Sequence, residues 1–533
     1  MANMKYIPIY LIFIPIIASM IIYLLNNKYV NYLVFLSQGV ITYFSIKYFS
    51  LNNHFLENNI LNLGGWERAI GISLKNDRLS MAFIFLSIFI WWVILLYSWN
   101  NRKGDFKFLF FLLFLEGAFL GLLQTNDLFN LFIFIEITTI ISTILIIYKK
   151  DGYSVKSGLY YLLFNSTGMI FYLLGLILVY TVTGTLNMDI AKERIELLNN
   201  TLIIKLAFVF IMASIGVKSA FFPVYNWLPK AHGAAPASIS ALLSGLLIKS
   251  GIYAYIRLDY IFNINDLNNL FFILGMLTAI SGIIFALSQK DIKQILAFHT
   301  ISQIGIILMG LSSYEAKANI GGLLHVFNHA LFKSLLFLGS GIIINHYNTR
   351  KITEIRGVFK RLPVVSVIMI IGMFSITGAP FFNGFVSKTI IKYGIKHNSF
   401  HSILFFIINL GTCISFIKFS QIFFGDFKKT DFKKIHSRSS MIILGISCLL
   451  MGILYTPIIN VFYDIDLSFV NIFSLSALFN YLISLVIGFF IFKFIIDKDF
   501  YPMKKIRHLN ISFETTNFML ISFIIIMTIV SLR

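Results

Sequence analysis

Cysteine and charge are both scarce in this sequence, and each scarcity excludes a class of function. The chain has only two cysteines, Cys413 and Cys448, whereas an all-thiolate iron–sulfur cluster requires four. Neither the GxxxxGK[ST] phosphate loop nor the GxGxxG fingerprint occurs, so no signature of ATP-driven or nicotinamide chemistry is visible. We therefore expect no bound cofactor, no metal and no catalytic redox centre in this chain.

Charged residues make up only 12% of the 533 residues, and 58% are hydrophobic, with a mean hydropathy of +0.84. Soluble proteins average about 25% charged residues. The apolar residues form repeated runs of about 20, the length that crosses a bilayer. The first run, 5–25, lacks a basic segment followed by a small-residue cleavage site, so we interpret it as a first span.

The apolar runs predict an all-α polytopic membrane protein of about 14–16 transmembrane helices. Two runs, 317–345 and 363–395, exceed the length needed to cross, which indicates tilted or broken helices. Pro223 and Pro380 lie in or at the end of such runs, where the missing N–H interrupts a helix. We predict sixteen spans: 5–25, 30–50, 79–99, 106–124, 127–148, 156–184, 202–224, 236–258, 266–288, 292–312, 317–345, 363–395, 401–424, 440–463, 468–496 and 511–531.

The net charge of +20 is explained by topology rather than by a nucleic-acid partner. Most lysines and arginines lie in alternate loops, which the positive-inside rule places in the cytoplasm. With sixteen spans, both termini are then external. The basic loops are near 100–107, 149–157, 289–293, 346–362, 425–438 and 493–507.

The placement of buried charges suggests two inverted five-helix repeats, 106–258 and 266–424. Helices 1–3 (1–105) would precede them, and further transmembrane helices (440–533) would follow. An odd number of helices per unit makes the second unit inverted, as in many transporters. Matching positions would pair Lys218 with Lys388, Lys249 with Lys418, and Glu136 with His299.

Several ionisable residues lie deep in apolar runs, where each costs about 2.5–3.5 kcal/mol to place at the bilayer centre. Lys218 and Lys249 carry that cost within one short stretch, so we expect them to act in moving an ion. Glu136 and Glu116 lie at similar depth in adjacent helices. For these groups a structural Glu–Lys pair stays an alternative, and Lys418 is close enough to a basic loop to snorkel.

Three polar residues in HVFNHALFK, His325, His329 and Lys333, recur every four residues and so share one helix face. Histidine titrates near neutrality and can relay protons. Helix packing and metal ligation stay open as alternatives for the two histidines. His299 lies in a helix with Ser302 and Gln303, and a packing role for it is equally open.

Four segments resemble the antiporter-like, proton-conducting membrane subunits of Mrp-type cation/proton antiporters, respiratory complex I and energy-converting hydrogenases. They are GGWERAIGISLKNDRLS (64–80), NDLFNLFIFIE (126–136), WLPKAHGAAPASISALLSGLLIKSGIYAYIR (227–257) and HALFKSLLFLGSG (329–341). The resemblance covers most of residues 60–425.

The resemblance implies that Glu136 and Lys218 form the ion pair of the first half and that Lys249 connects the halves. The residues His325, His329 and Lys333 would be the central relay, and Lys388 the exit residue of the second half. Some branches of the family carry glutamate where Lys388 stands.

The favoured hypothesis is a proton-translocating, Na⁺/H⁺-antiporting or redox-driven subunit of a multisubunit complex in a prokaryotic cell membrane. Its partners would be other membrane subunits, protons and Na⁺. A stand-alone secondary carrier for an organic solute is one alternative, because substrate sites at broken helices also use buried charge. A structural membrane scaffold, in which the charges merely pair, is another.

Overall fold

A computed structural model describes residues 5–27, 29–52, 60–99, 104–198, 201–264, 267–426, 438–461, 467, 470–471, 474–509 and 511–532. Within these ranges, twelve helices are long and apolar enough to cross a membrane, and Pro363–Thr377 and Ser439–Ile453 are shorter apolar helices. The remaining two predicted spans, 30–50 and 202–224, overlap the helices Val30–Asn52 and Leu202–Lys218. The predicted all-α polytopic membrane fold is confirmed.

The chain divides into two units, the first of which comprises Met1–Ser219, Leu246–Leu267 and Phe513–Arg533. Its described elements are α1 (Ile7–Leu25), α2 (Val30–Asn52), β1 (Ile60–Asn62), β2 (Ser73–Lys75), α3 (Arg78–Trp99), α4 (Phe106–Gln124), α5 (Leu128–Ile147), α6 (Gly152–Thr183), α7 (Met188–Leu197), α8 (Leu202–Lys218), α11 (Ile248–Phe262) and α23 (Phe513–Ser531). In this unit α6 packs along both α5 and α8.

The second unit comprises Ala220–Gly245 and Asn268–Ser512. Its described helices are α9 (Trp227–Ala234), α10 (Ala237–Leu242), α12 (Asn268–Ser288), α13 (Ile292–Leu311), α14 (Ala316–Tyr347), α15 (Val358–Arg361), α16 (Pro363–Thr377), α17 (Asn383–Ile395), α18 (Ser399–Ser420), α19 (Ser439–Ile453), α20 (Tyr455–Asn460), α21 (Leu475–Ile491) and α22 (Tyr501–Arg507). Here α14 packs against α13, α16 and α17, and α12 packs against α13 and α18.

The predicted span 363–395 is two helices, α16 and α17, as the prediction of broken helices requires. The first ends at Gly378, whose φ of 82° lies in the left-handed region that favours glycine. The second turns back so closely that a Cβ on Gly384 would lie 1.8 Å from the Ser375 carbonyl oxygen. Glycine at 384 is therefore required for this approach.

The predicted span 202–224 is wrong at its end, because α8 stops at Lys218. The apolar run continues through Ala220 and Phe221, but Ala220 has a positive φ of 56° and breaks the helix. Lys218 is thus the last residue of a helix rather than a residue in its middle. The two inverted repeats and the membrane orientation remain predictions.

Candidate functional site

Lys218 lies at the carboxyl end of α8 and is only 3% exposed. Its Nζ donates to Thr139 Oγ1 at 2.6 Å and to the Tyr161 hydroxyl at 3.4 Å. A cation at a helix carboxyl end also faces the negative end of the helix dipole. The ammonium group is therefore held by α5 and α6 as well as by its own helix.

Glu136 lies on α5, three residues before Thr139, and interacts electrostatically with Lys218. Its Oε2 accepts a hydrogen bond from Ser166 Oγ at 3.0 Å, and its Oε1 is buried with no hydrogen-bond partner in the described part of the chain. Among the described residues no direct ion pair joins Glu136 to Lys218. The structure instead places the Thr139 hydroxyl against the lysine, one helical turn from the carboxylate.

Glu116 is fully buried on α4, and its Oε1 accepts from Gln38 Nε2 at 2.9 Å. This amide belongs to α2, which is distant in sequence, so no local pattern predicts the contact. Lys249 is fully buried as the second residue of α11. A π-helical turn, Leu243–Leu247, directly precedes α11, and such turns are frequent at functional sites.

The predicted stripe on α14 is present, and His325 contacts two neighbouring helices. Its Nδ1 lies 2.8 Å from Ser387 Oγ on α17, and its Nε2 lies 3.0 Å from Gln303 Oε1 on α13. Asn328 Nδ2 also donates to Ser387 Oγ, at 3.1 Å. Ser387 and Asn328 are polar partners that no pattern in the sequence singles out.

The stripe continues from His325 along one face of α14. The rings of His325 and His329 are 6.5 Å apart between centroids. Lys333, one turn further on, is fully buried, and its Nζ donates to the Leu296 carbonyl at 2.5 Å. Within the described residues, no group of three His, Cys, Asp or Glu side chains could hold a metal ion.

Lys388 and Lys418 both donate to carbonyls at the end of another helix. Lys388 Nζ bonds the Ile376 carbonyl at 2.7 Å, in the last turn of the broken helix α16. Lys418 Nζ bonds the Leu287 carbonyl at 2.6 Å and also the Gln289 carbonyl, where α12 ends. Both lysines therefore satisfy carbonyl groups that a helix end leaves without partners.

His299 is fully buried on α13, and neither ring nitrogen has a hydrogen-bond partner among the residues that the structure describes. Its ring packs against Phe416 with the centroids 4.8 Å apart. Three lysines of the same unit act on it electrostatically: Lys333, Lys388 and Lys418.

Ion pairs join loops of the first unit to its helices α11 and α7. Arg257 donates to both carboxylate oxygens of Asp77, at 2.5 and 2.7 Å. Burial alone would raise the pKa of Asp77, but the charge and hydrogen bonds of Arg257 lower it to about 2. Asp189 similarly binds Lys75 at 2.6 Å and pairs with Arg68, which ties the β1–β2 hairpin to α7.

Residues 125–418 match the family described as NADH:quinone oxidoreductase/Mrp antiporter, transmembrane. The match covers more than half of the chain. The chain belongs to this family. The resemblance carried by the four sequence segments is thereby confirmed.

Individual relatives agree with the family match. The chain is 33% identical over 385 residues to the D-type subunit of the Na⁺/H⁺ antiporter of Alkalihalophilus pseudofirmus, covering 70% of this chain and 77% of the relative. A chain of the archaeal membrane-bound sulfane sulfur reductase, a respiratory membrane complex, superposes with a TM-score of 0.79 at 26% identity, covering 85% and 96% of the two chains. A chain of the Mrp complex from a Dietzia species shares the fold, with a TM-score of 0.75 at 20% identity over 97% and 100%.

Proposed function

We propose that this chain is the proton-translocating subunit of a multisubunit membrane complex that exchanges Na⁺ for H⁺ across a prokaryotic cell membrane. The name of the 33% identical relative, a Na⁺/H⁺ antiporter, supports the exchange, and both structural relatives come from membrane complexes. Partner membrane subunits would supply the Na⁺ route and the coupling.

The observation that carries the proposal is that a buried ionisable side chain meets a hydroxyl group in each unit, a lysine in the first and a histidine in the second. In the first unit Lys218 bonds Thr139 and interacts with Glu136. In the second, His325 is hydrogen-bonded to Ser387, the residue before Lys388. A buried ammonium releases its proton more readily when a carboxylate partner moves away, since desolvation disfavours the charged form.

The proposed mechanism depends on how strongly proton release from Lys218 responds to the position of Glu136. Protons would pass by Lys218, Lys249, the stripe His325–Lys333 and Lys388, in the order that the family resemblance implies. Each unit of pKa change corresponds to about 1.4 kcal/mol, so a modest movement of Glu136 relative to Lys218 would shift the direction of proton transfer. His299 would redistribute protons among the lysines that act on it.

The test is proton transport by everted vesicles that contain the assembled complex. Lys218→Ala should abolish Na⁺-dependent ΔpH formation, and Glu136→Gln should weaken it strongly. Lys205→Ala is a matched control, because Lys205 lies in the first turn of the same helix and is only partly buried. Wild-type transport by assembled Lys218→Ala complex would refute the proposal.

A further inference from the structure

An apolar groove runs between α16 and α19 in the second unit. Its volume is about 450 Å³, and every described residue that lines it is apolar. Val367 and Ile446 lie on its two walls and are 50% and 51% exposed, whereas Ile368 and Gly445 form its buried floor. The groove is therefore open to the surroundings of the chain.

The two helices that form the groove run in the same direction. A Cβ on Gly445 would lie 3.1 Å from Ile368 Cγ2, near the middle of α16. Further along α19, Gly452 packs against the carbonyl of Phe381, which lies beyond the carboxyl end of α16. Because the contacts follow chain order in both helices, the carboxyl ends lie together, and so do the amino ends.

Two arginines lie at the end of the groove where both helices begin. Arg438 directly precedes α19, and its carbonyl accepts from the Ile442 N–H at 3.1 Å. Residues four apart share a helix face, so Arg438 continues the face of Ile442, which lines the groove. Arg361 is exposed two residues before the start of α16. The amino end of the groove is therefore basic.

Positive charge is in excess at this end of the groove. Lys360 pairs with Asp426 at 2.6 Å, and both side chains are mostly exposed. The sequence has no aspartate or glutamate in 355–371 or 438–453, the segments that contain the two arginines and both groove walls. The amino ends of α16 and α19 add the positive ends of two helix dipoles. An anionic group would therefore be attracted to this end.

The dimensions of the groove favour a narrow apolar occupant. It extends from Pro363 to Ile371, a length of about 12 Å at about 1.5 Å per residue, so its mean cross-section is about 40 Å². An α-helix with its side chains is about 10–12 Å across, which corresponds to about 80–110 Å². The groove is thus too narrow to seat a helix of a partner subunit, but it can hold an extended hydrocarbon chain.

We propose that the groove binds one anionic phospholipid, with a hydrocarbon chain between α16 and α19 and the phosphodiester group at Arg361 and Arg438. The chain contributes little preference for this place, because lipid tails are as apolar as the groove walls. The arginines supply the preference for an anionic headgroup, since each basic residue near the membrane surface strengthens the attraction about fivefold. Arginine also suits phosphate, because its planar guanidinium can donate two parallel hydrogen bonds.

The experiment measures phospholipid binding to the purified, delipidated complex by native mass spectrometry. The probes are dioleoyl phosphatidylglycerol, which is anionic, and dioleoyl phosphatidylcholine, which is zwitterionic. The wild type should bind the first phosphatidylglycerol about twentyfold more tightly than the first phosphatidylcholine, and Arg438→Gln or Arg361→Gln should each reduce that ratio about fivefold. Lys505→Gln is the control, because Lys505 is exposed on α22 and does not line the groove, and it should leave the ratio unchanged.

Filling the groove separates a bound lipid from a general attraction of anionic lipids to basic loops. Gly445→Leu should place its side chain in the groove and remove the tight phosphatidylglycerol site. Gly39→Leu is the matched control, because a Cβ on this glycine would have nothing within 4 Å, and it should keep the site. Val367→Phe fills the groove from its half-exposed wall and replaces Gly445→Leu if that variant does not assemble.

Equal affinities of the wild type for the two lipids, an unchanged ratio in Arg438→Gln, or tight phosphatidylglycerol binding by an assembled groove-filling variant would each overturn the proposal. Loss of a partner subunit from both groove-filling variants, with phosphatidylglycerol binding intact, would identify a protein helix as the occupant and overturn it as well. These readouts measure binding alone, so they stand or fall independently of proton transport.

Discussion

Replacing Thr139 with valine tests the arrangement around Lys218 most sharply among single substitutions of its neighbours. The valine side chain matches threonine in shape but removes the hydroxyl that accepts from Lys218 Nζ at 2.6 Å. A hydrogen bond to a charged group contributes about 1.5–3 kcal/mol, and the remaining Tyr161 hydroxyl, at 3.4 Å, is too distant to compensate.

The expected loss follows from that energy. If charging of Lys218 limits transport, about 1.5–3 kcal/mol corresponds to a reduction of about tenfold to a hundredfold in the rate. The assay is the initial rate of Na⁺-dependent ΔpH formation in everted vesicles, corrected for the amount of assembled complex. Thr139→Ser keeps the hydroxyl and should retain most of the rate.

Thr143→Val supplies the matched control. Thr143 lies one turn further along α5, is also buried, and its hydroxyl donates to the Thr139 carbonyl at 2.8 Å rather than contacting a lysine. A normal rate for Thr139→Val, or equal losses for the two valine variants, would refute the reasoning that the Thr139 hydroxyl stabilises the charged lysine.

The other predictions concern assembly and stability. Gly384→Ala should prevent assembly of active complex in a co-purification assay, since the new Cβ would lie 1.8 Å from a carbonyl oxygen. Gly39→Ala should assemble normally, because a Cβ on Gly39 would have nothing within 4 Å. Asp77→Asn should lower the thermal unfolding temperature in detergent. The pKa of Asp77 in the folded protein, about 2, lies below the ordinary 3.8, so its ionised form contributes about 2 kcal/mol to the free energy of unfolding. This contribution is full above about pH 4 and should disappear as the pH falls through about 2. A difference in unfolding temperature between wild type and Asp77→Asn that does not change with pH would contradict the prediction. Lys418→Met should lower thermal stability by releasing the end of α12 but preserve more proton transport than Lys388→Met, and the reverse order would contradict the different placements of the two lysines.

The helical architecture could be predicted because each helix that crosses the bilayer needs a run of about 20 apolar residues, which is visible in the sequence. Each predicted span contains a helix, and the break between α16 and α17 was indicated by Pro380. The end of α8 could not be predicted, because hydropathy continues through Ala220 and Phe221 and does not register where the backbone turns.

The candidate residues were more predictable than their partners. Lys218, His325 and Lys388 stood out because a buried charge or a polar stripe is conspicuous in an apolar run. The partners of the buried lysines could not be predicted. Lys388 and Lys418, for example, donate to backbone carbonyls, which every residue carries and which no sequence pattern marks. The pairing of Asp77 with Arg257 joins distant parts of the chain, and no local pattern predicts it.

The proposed function requires that protons cross the membrane through this chain. The most direct measurement is proton flux into liposomes that contain the purified complex and a trapped pH-sensitive dye, driven by an imposed Na⁺ gradient. Lys218→Ala and Lys388→Ala should each abolish the flux while the complex stays assembled, and Lys205→Ala should leave it unchanged. Wild-type flux in either of the first two variants would contradict the claim.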